Sequence, residues 1–105
     1  MAKAKFTDAL SLEVLEQLEI LGENIRLARK SRGWSQSEAA ERFLMSKVTL
    51  VSVERGDPTT SIGAYLAALD TMGIAQGIDS IGASHRDPIV RRGRQSGGPS
   101  RQKHP

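Results

Sequence analysis

Residues 25–56 read IRLARKSRGWSQSEAAERFLMSKVTLVSVERG, and this stretch decides the fold. It holds the end of one helical pattern and two short capped helices after it. Gly33 stops the first pattern, where a helix commonly ends on a left-handed residue. Ser35 and Glu38 then form an S-x-x-E capping box, in which two side chains satisfy two orphan backbone donors. Ala39, Ala40 and Phe43 give that helix its apolar face. Leu44 and Met45 break it, and Ser46 is a second N-cap type. The next helix spans Lys47 to Arg55, and Gly56, Asp57 and Pro58 stop it. Leu50 and Val53 lie three apart and must face inward, which leaves Lys47, Val48, Thr49 and Ser52 on the outer face.

Upstream, Leu10, Val14, Leu18, Leu21, Ile25 and Ala28 recur at helical spacing from about Thr7 to Arg32. Acids crowd the first half of this long helix and bases the second, which complements its macrodipole. Gly22 falls inside it, a residue that weakens or bends a helix interior. Downstream, Thr60 or Ser61 caps a helix over Ile62–Met72 whose buried stripe reads Ile62, Tyr65, Leu66, Leu69 and Met72. Gly73 ends it, and Ile74, Ile78 and Ile81 are spaced as a short fifth helix. Ile89 and Val90 read as extended. Residues 93–105 carry no apolar side chain, so burial cannot offset the entropy of ordering them. The expected organisation is an N-terminal helical extension over 1–21, a compact multi-helix domain over 22–83 and a basic, largely disordered tail over 84–105.

The totals narrow the function. A chain of 105 residues with 38% hydrophobic and 4% aromatic residues builds one small aliphatic core. Cysteine is absent, which excludes a disulfide framework, a thiol nucleophile and a cysteine metal site. The longest apolar stretch, Ala64 to Leu69, is too short to span a bilayer. The expectation is a cytoplasmic protein with no signal segment, no membrane association, no cofactor and no metal. No G-x-S-x-G elbow or GxxxxGK[ST] loop occurs, and His85 and His104 stand apart from any ligand cluster, so no enzyme is expected. The net charge of +3 is unevenly spread. Residues 26–55 hold seven bases against three acids, and residues 84–105 six bases against one acid. Residues 1–25 and 56–83 each carry −3. A positive central block points to a polyanionic partner.

Two capped helices joined by a tight turn, the second studded with small polar and basic side chains, form a helix-turn-helix. In that arrangement the second helix enters the major groove with its N-terminal residues at base edges. Lys47 donates to guanine, Thr49 and Ser52 bond most base edges, and the methyls of Val48 meet thymine. Residues 22–82 resemble the Cro/repressor-type (XRE) helix-turn-helix family at Ile25, Arg29, Gly33, Ser35-Gln36-Ser37-Glu38, Ala40, Ser46, Leu50, Glu54, Gly56 and Leu69. The resemblance implies an all-α, lambda-repressor-like five-helix domain. It also implies that Gln36 contacts a DNA phosphate, that Arg29 and Glu54 form a buried structural salt bridge, and that Trp34 packs in the core. The DNA-contacting set is thus Gln36, Ser46, Lys47, Val48, Thr49, Ser52 and Arg55. One residue departs from the family. Leu44 stands where a glycine is usual, and left-handed geometry there would strain it by roughly 1–2 kcal/mol.

A narrower resemblance covers about residues 22–92. Glu54-Arg55-Gly56-Asp57-Pro58, Ser61-Ile62-Gly63, Met72-Gly73-Ile74 and Arg86-Asp87-Pro88 are similar to HipB-like antitoxins. That resemblance implies a homodimeric bacterial repressor, nucleoid-associated, which binds a double-stranded operator, partners a HipA-like Ser/Thr kinase toxin and represses the operon encoding both. A stand-alone phage-type or cellular repressor is the competing reading. An adaptor that has lost DNA binding is a third, disfavoured by the acid-free outer face from Ser46 to Ser52. Glu13, Glu16, Glu19 and Glu23 line one helix face, either as a solubilising surface or as a docking face for a basic partner.

Overall fold

A computed structural model describes residues 3–96, with side chains through residue 93. Its α-helices are α1 (Leu12–Ser31), α2 (Gln36–Arg42), α3 (Lys47–Arg55), α4 (Ile62–Thr71) and α5 (Pro88–Ser96). No described residue lies in a β-strand. No helix is long and apolar enough to cross a membrane among the described residues. Two units are distinguished, one up to Ala75 and one from Gln76 onward.

In the first unit, serine hydroxyls start each helix. Ser11, Ser35, Ser46 and Ser61 accept hydrogen bonds from the backbone N–H of Val14, Glu38, Thr49 and Ala64. The long N-terminal pattern therefore begins its α-helix at Ser11, not Thr7. Phe6–Ala9 is a separate 3-10 turn, in which the Asp8 carboxylate accepts from the Lys5 N–H at 3.0 Å. The Ser35–Glu38 capping box forms as expected, the Ser35 N–H donating to Glu38 Oε1 at 2.8 Å. Those bonds hold the Glu38 carboxyl below the usual carboxylate range.

The core is built from all four helices. Ile25, Leu50 and Val53 are fully buried, and Ala39, Ala40, Phe43, Tyr65, Ala68 and Met72 close around them. Each fully buried aliphatic side chain contributes about 1.5–3 kcal/mol relative to exposure. Trp34 packs at the edge of this core, its ring meeting Phe43 edge-on at 6.2 Å, with the guanidinium of Arg42 4.4 Å from its centroid. The expected stripe of α4 needs one correction. Ile62 is exposed and Ala68 is buried in its place, because the face is centred on Tyr65, Ala68 and Met72. The Tyr65 hydroxyl donates to the Asp57 carbonyl at 2.8 Å and pins the turn before α4. Burial, and then the negative charge of Asp57, push that hydroxyl up to about 12.

Glycines with φ near +75° follow α1 and α4, at Gly33 and Gly73, and Gly56 caps α3 with φ +72°. Leu44 does the same work after α2 with φ +56°, and it is the positive-φ residue other than glycine among those described. Its neighbour Met45 donates to the Ala40 carbonyl at 3.0 Å, as a Schellman closure requires. Leu44 is 93% exposed, so its side chain returns no packing energy for that backbone. Leu44→Gly should therefore stabilise the domain by about 0.5–1 kcal/mol, the steric relief exceeding the extra chain entropy of glycine. A urea unfolding midpoint that rises without a change in slope is the expected readout.

The second unit departs from expectation twice. Ile74, Ile78 and Ile81 do not make a helix; only Ile78–Ser80 turns, as a 3-10 segment after Gly77 at φ +92°. The fifth helix is instead Pro88–Ser96, where Ile89 and Val90 read as extended and residue 93 onward as disordered. Asp87 accepts a hydrogen bond from the Ile89 N–H at 2.9 Å, and Pro88 opens the helix. An acidic N-cap followed by proline at the first helical position is a strong start signal. The remainder of the expected disordered tail, 97–105, lies outside the described residues.

Candidate nucleic-acid interface

The site is a helix, a turn and a second helix: α2, residues 43–46, and α3. Ser46 sets the first turn of α3 twice over. Its Oγ accepts from the Thr49 N–H at 3.0 Å and donates to the Thr49 hydroxyl at 2.9 Å. Ser46 thus acts as an N-cap, and Thr49, half-buried, is tied to it. Lys47, Val48 and Arg55 are exposed, and Ser52 is half-buried. These four, with Val51, line one shallow concavity along the outer face of α3. Leu50 and Val53 occupy the opposite, fully buried face, as the spacing required.

What holds that face in place is a buried ion pair. Arg29 Nε lies 2.6 Å from Glu54 Oε2, and its Nη2 lies 3.0 Å from Glu54 Oε1. The side chains are 9% and 5% exposed. The third guanidinium nitrogen, Nη1, donates to the Trp34 carbonyl at 2.8 Å. Gln36 Nε2 donates to Glu54 Oε1 at 3.1 Å. One carboxylate near the end of α3 therefore gathers α1, the start of α2 and the segment between them. Gln36 sits at the first residue of α2, where the resemblance places a phosphate contact, and one of its amide hydrogens already serves Glu54.

A second constraint acts between α1 and α3. A Cβ on Gly22 would lie 2.6 Å from the Val53 carbonyl oxygen and 2.7 Å from both the Glu54 oxygen and the Gly56 nitrogen. A Cβ on Gly56 would meet the backbone of Leu18 and Glu19 at 2.6 Å. Backbone lies against backbone at this crossing, and only glycine fits. Gly22 is therefore a contact residue within a continuous helix.

Sequence reasoning missed two features here. Val51 belongs to the outer face as well, lining the concavity beside Val48, and is assigned to neither face from sequence. The Gln36–Glu54 contact has no sequence signal, since 18 positions separate the partners.

A family model described as a helix-turn-helix domain matches residues 20–77. The match covers more than half of the chain, and the chain belongs to this helix-turn-helix family. It is a DNA-binding regulator by that membership. No curated protein and no solved structure matches it.

Proposed function

We propose that this chain is a sequence-specific transcriptional repressor that binds its operator as a homodimer through α3. The observation that carries this is the outer face of α3, where Lys47, Val48, Ser52 and Arg55 share one surface without an acidic side chain. Gln36 supplies a phosphate contact at the start of α2. A helix of nine residues reads only a few base pairs, so discrimination requires a second copy on a two-fold site about 34–36 Å away, or a multiple of that. The second partner in this reading is a HipA-like kinase toxin, with the chain as its antitoxin and as autoregulator of their operon in the bacterial cytoplasm. Support for it lies in the similarity over Glu54–Pro58 and Arg86–Pro88. Residues 1–25 and 56–83 each carry −3, the sign that suits a basic protein partner.

Footprinting on the chain's own promoter tests the repressor, with symmetric protection expected. Affinity purification from the source organism tests the partner. A kinase in the eluate supports the antitoxin, and a clean eluate with intact operator binding leaves a stand-alone repressor.

Substitutions separate the kinds of contact. Lys47→Ala or Ser52→Ala should relax base preference at one position, at a cost of about 1–3 kcal/mol for a bidentate contact and less for a single one. Gln36→Ala and Arg55→Ala should weaken binding to all sequences evenly. Arg55→Ala should also flatten the slope of log affinity against log salt by about one. Identical sequence preferences in both groups of variants would reassign the reading helix.

A further inference from the structure

One face of α1 is buried through Gly22, Ile25 and Arg29, with Leu18, Leu21 and Ala28 packed beside them. The opposite face holds two large apolar residues that the core does not use. Ile20 is 60% exposed and Leu27 50%. Seven positions apart, they stand within about 20° of each other around the helix and about 10 Å apart along it. Glu13, Glu16, Ile20, Glu23 and Leu27 follow one another at steps of three and four, the spacing of a seam between two helices. All five are exposed. Charge along this side is polarised: Glu13 and Glu16 precede Ile20, and Lys30, also exposed, follows Leu27. A parallel copy of α1 would set acid against acid. An antiparallel copy sets the acidic start of one helix against the basic end of the other, and the helix dipoles oppose.

We propose that this face is self-complementary and that a second copy of the chain covers it, α1 against α1, antiparallel across a two-fold axis. The axis falls midway between Ile20 and Leu27. Each Ile20 then packs on Leu27 of the partner subunit. Glu16 faces the position next to Lys30 of the partner subunit, on the same flank of the seam. Glu23 falls beside its own symmetry mate, and Arg26 of the same helix, 3.0 Å away, balances its charge. The contact is isologous, so every favourable pair occurs twice. No residue of the outer face of α3 takes part, which leaves that face for DNA. The inference rests on the homodimer reading given above and names its interface.

Sedimentation velocity of the full chain over a range of concentrations measures the dimer dissociation constant, with circular dichroism confirming that each variant folds. Ile20→Asp should raise that constant about a hundredfold or more, because the two-fold places the substitution in the seam twice. Ile62→Asp, at a residue equally exposed on α4, should leave it unchanged. Glu16→Lys and Lys30→Glu should each weaken the dimer about fivefold, and the two together should restore it. A chain that stays monomeric at every concentration would overturn the proposal. So would a dimer indifferent to Ile20→Asp, which leaves a dimeric repressor with a different interface. Single reversals that the double variant does not repair would rule out the antiparallel register, and the proposal with it. Selection on random duplex DNA is read separately. A chain that dimerises as expected but selects no duplex sinks the DNA-binding reading and leaves the interface standing.

Discussion

On replacing Glu54 by alanine, the unfolding free energy is expected to fall by about 3–5 kcal/mol, the range seen when one partner of a buried ion pair is removed. The substitution strips Arg29 of two of its three hydrogen bonds and leaves a guanidinium buried with only the Trp34 carbonyl. Gln36 loses its acceptor as well. A domain of this size has only about 5–15 kcal/mol in total, so the variant approaches global unfolding. At about 4–8 °C per kcal/mol, the melting temperature should drop by well over 10 °C. Arg29→Lys should recover little of the stability, because an ammonium cannot reproduce the bidentate fork on Glu54. Whatever fraction stays folded should keep its base preference, since Glu54 faces inward. A melting temperature unchanged from wild type, together with an altered operator choice, would show that the pair reads DNA instead of holding the scaffold.

The second large effect is expected at Gly22, where two forces oppose each other. Alanine is the better helix former by about 1 kcal/mol. Against that, its Cβ would sit 2.6–2.7 Å from three backbone atoms of residues 53–56, and backbone cannot rotate away as a side chain does. The helices must separate, and overpacking of this kind costs about 1–3 kcal/mol beyond the propensity gain. Gly22→Ala should therefore destabilise the domain by about 2 kcal/mol and weaken operator binding, because α3 is displaced. Gly63→Ala is the matched control. Gly63 also lies inside a helix, but an added Cβ meets only the Ser61 hydroxyl at 3.8 Å. That variant should be stabilised, by up to about 1 kcal/mol. If both alanines stabilise equally in urea unfolding, the tight crossing of α1 and α3 is not what requires glycine at position 22.

The helix starts at Ser35 and Ser46 were legible in the sequence, and that of α4 to within Thr60 or Ser61, because capping chemistry joins residues two or three positions apart; the structure takes Ser61. The inward face of α3 was legible for the same local reason: Leu50 and Val53 are one helical turn apart. Leu44 was legible as a left-handed residue only through family resemblance, and the backbone carries it at φ +56°. The tertiary structure alone decided the matters that join distant residues. That Gly22 seats α1 on the end of α3, that Gln36 shares Glu54 with Arg29, and that Ile62 rather than Ala68 faces solvent are facts of packing between helices. The fifth helix is a different case. Its Asp87–Pro88 start is local, while the three isoleucines at helical spacing make no helix because Gly77 breaks that spacing with a positive φ. Sequence determines where a chain can cap, turn and repeat, because those are interactions within a few residues. Which apolar face is buried, and how closely two backbones approach, depends on partners that only folding brings together.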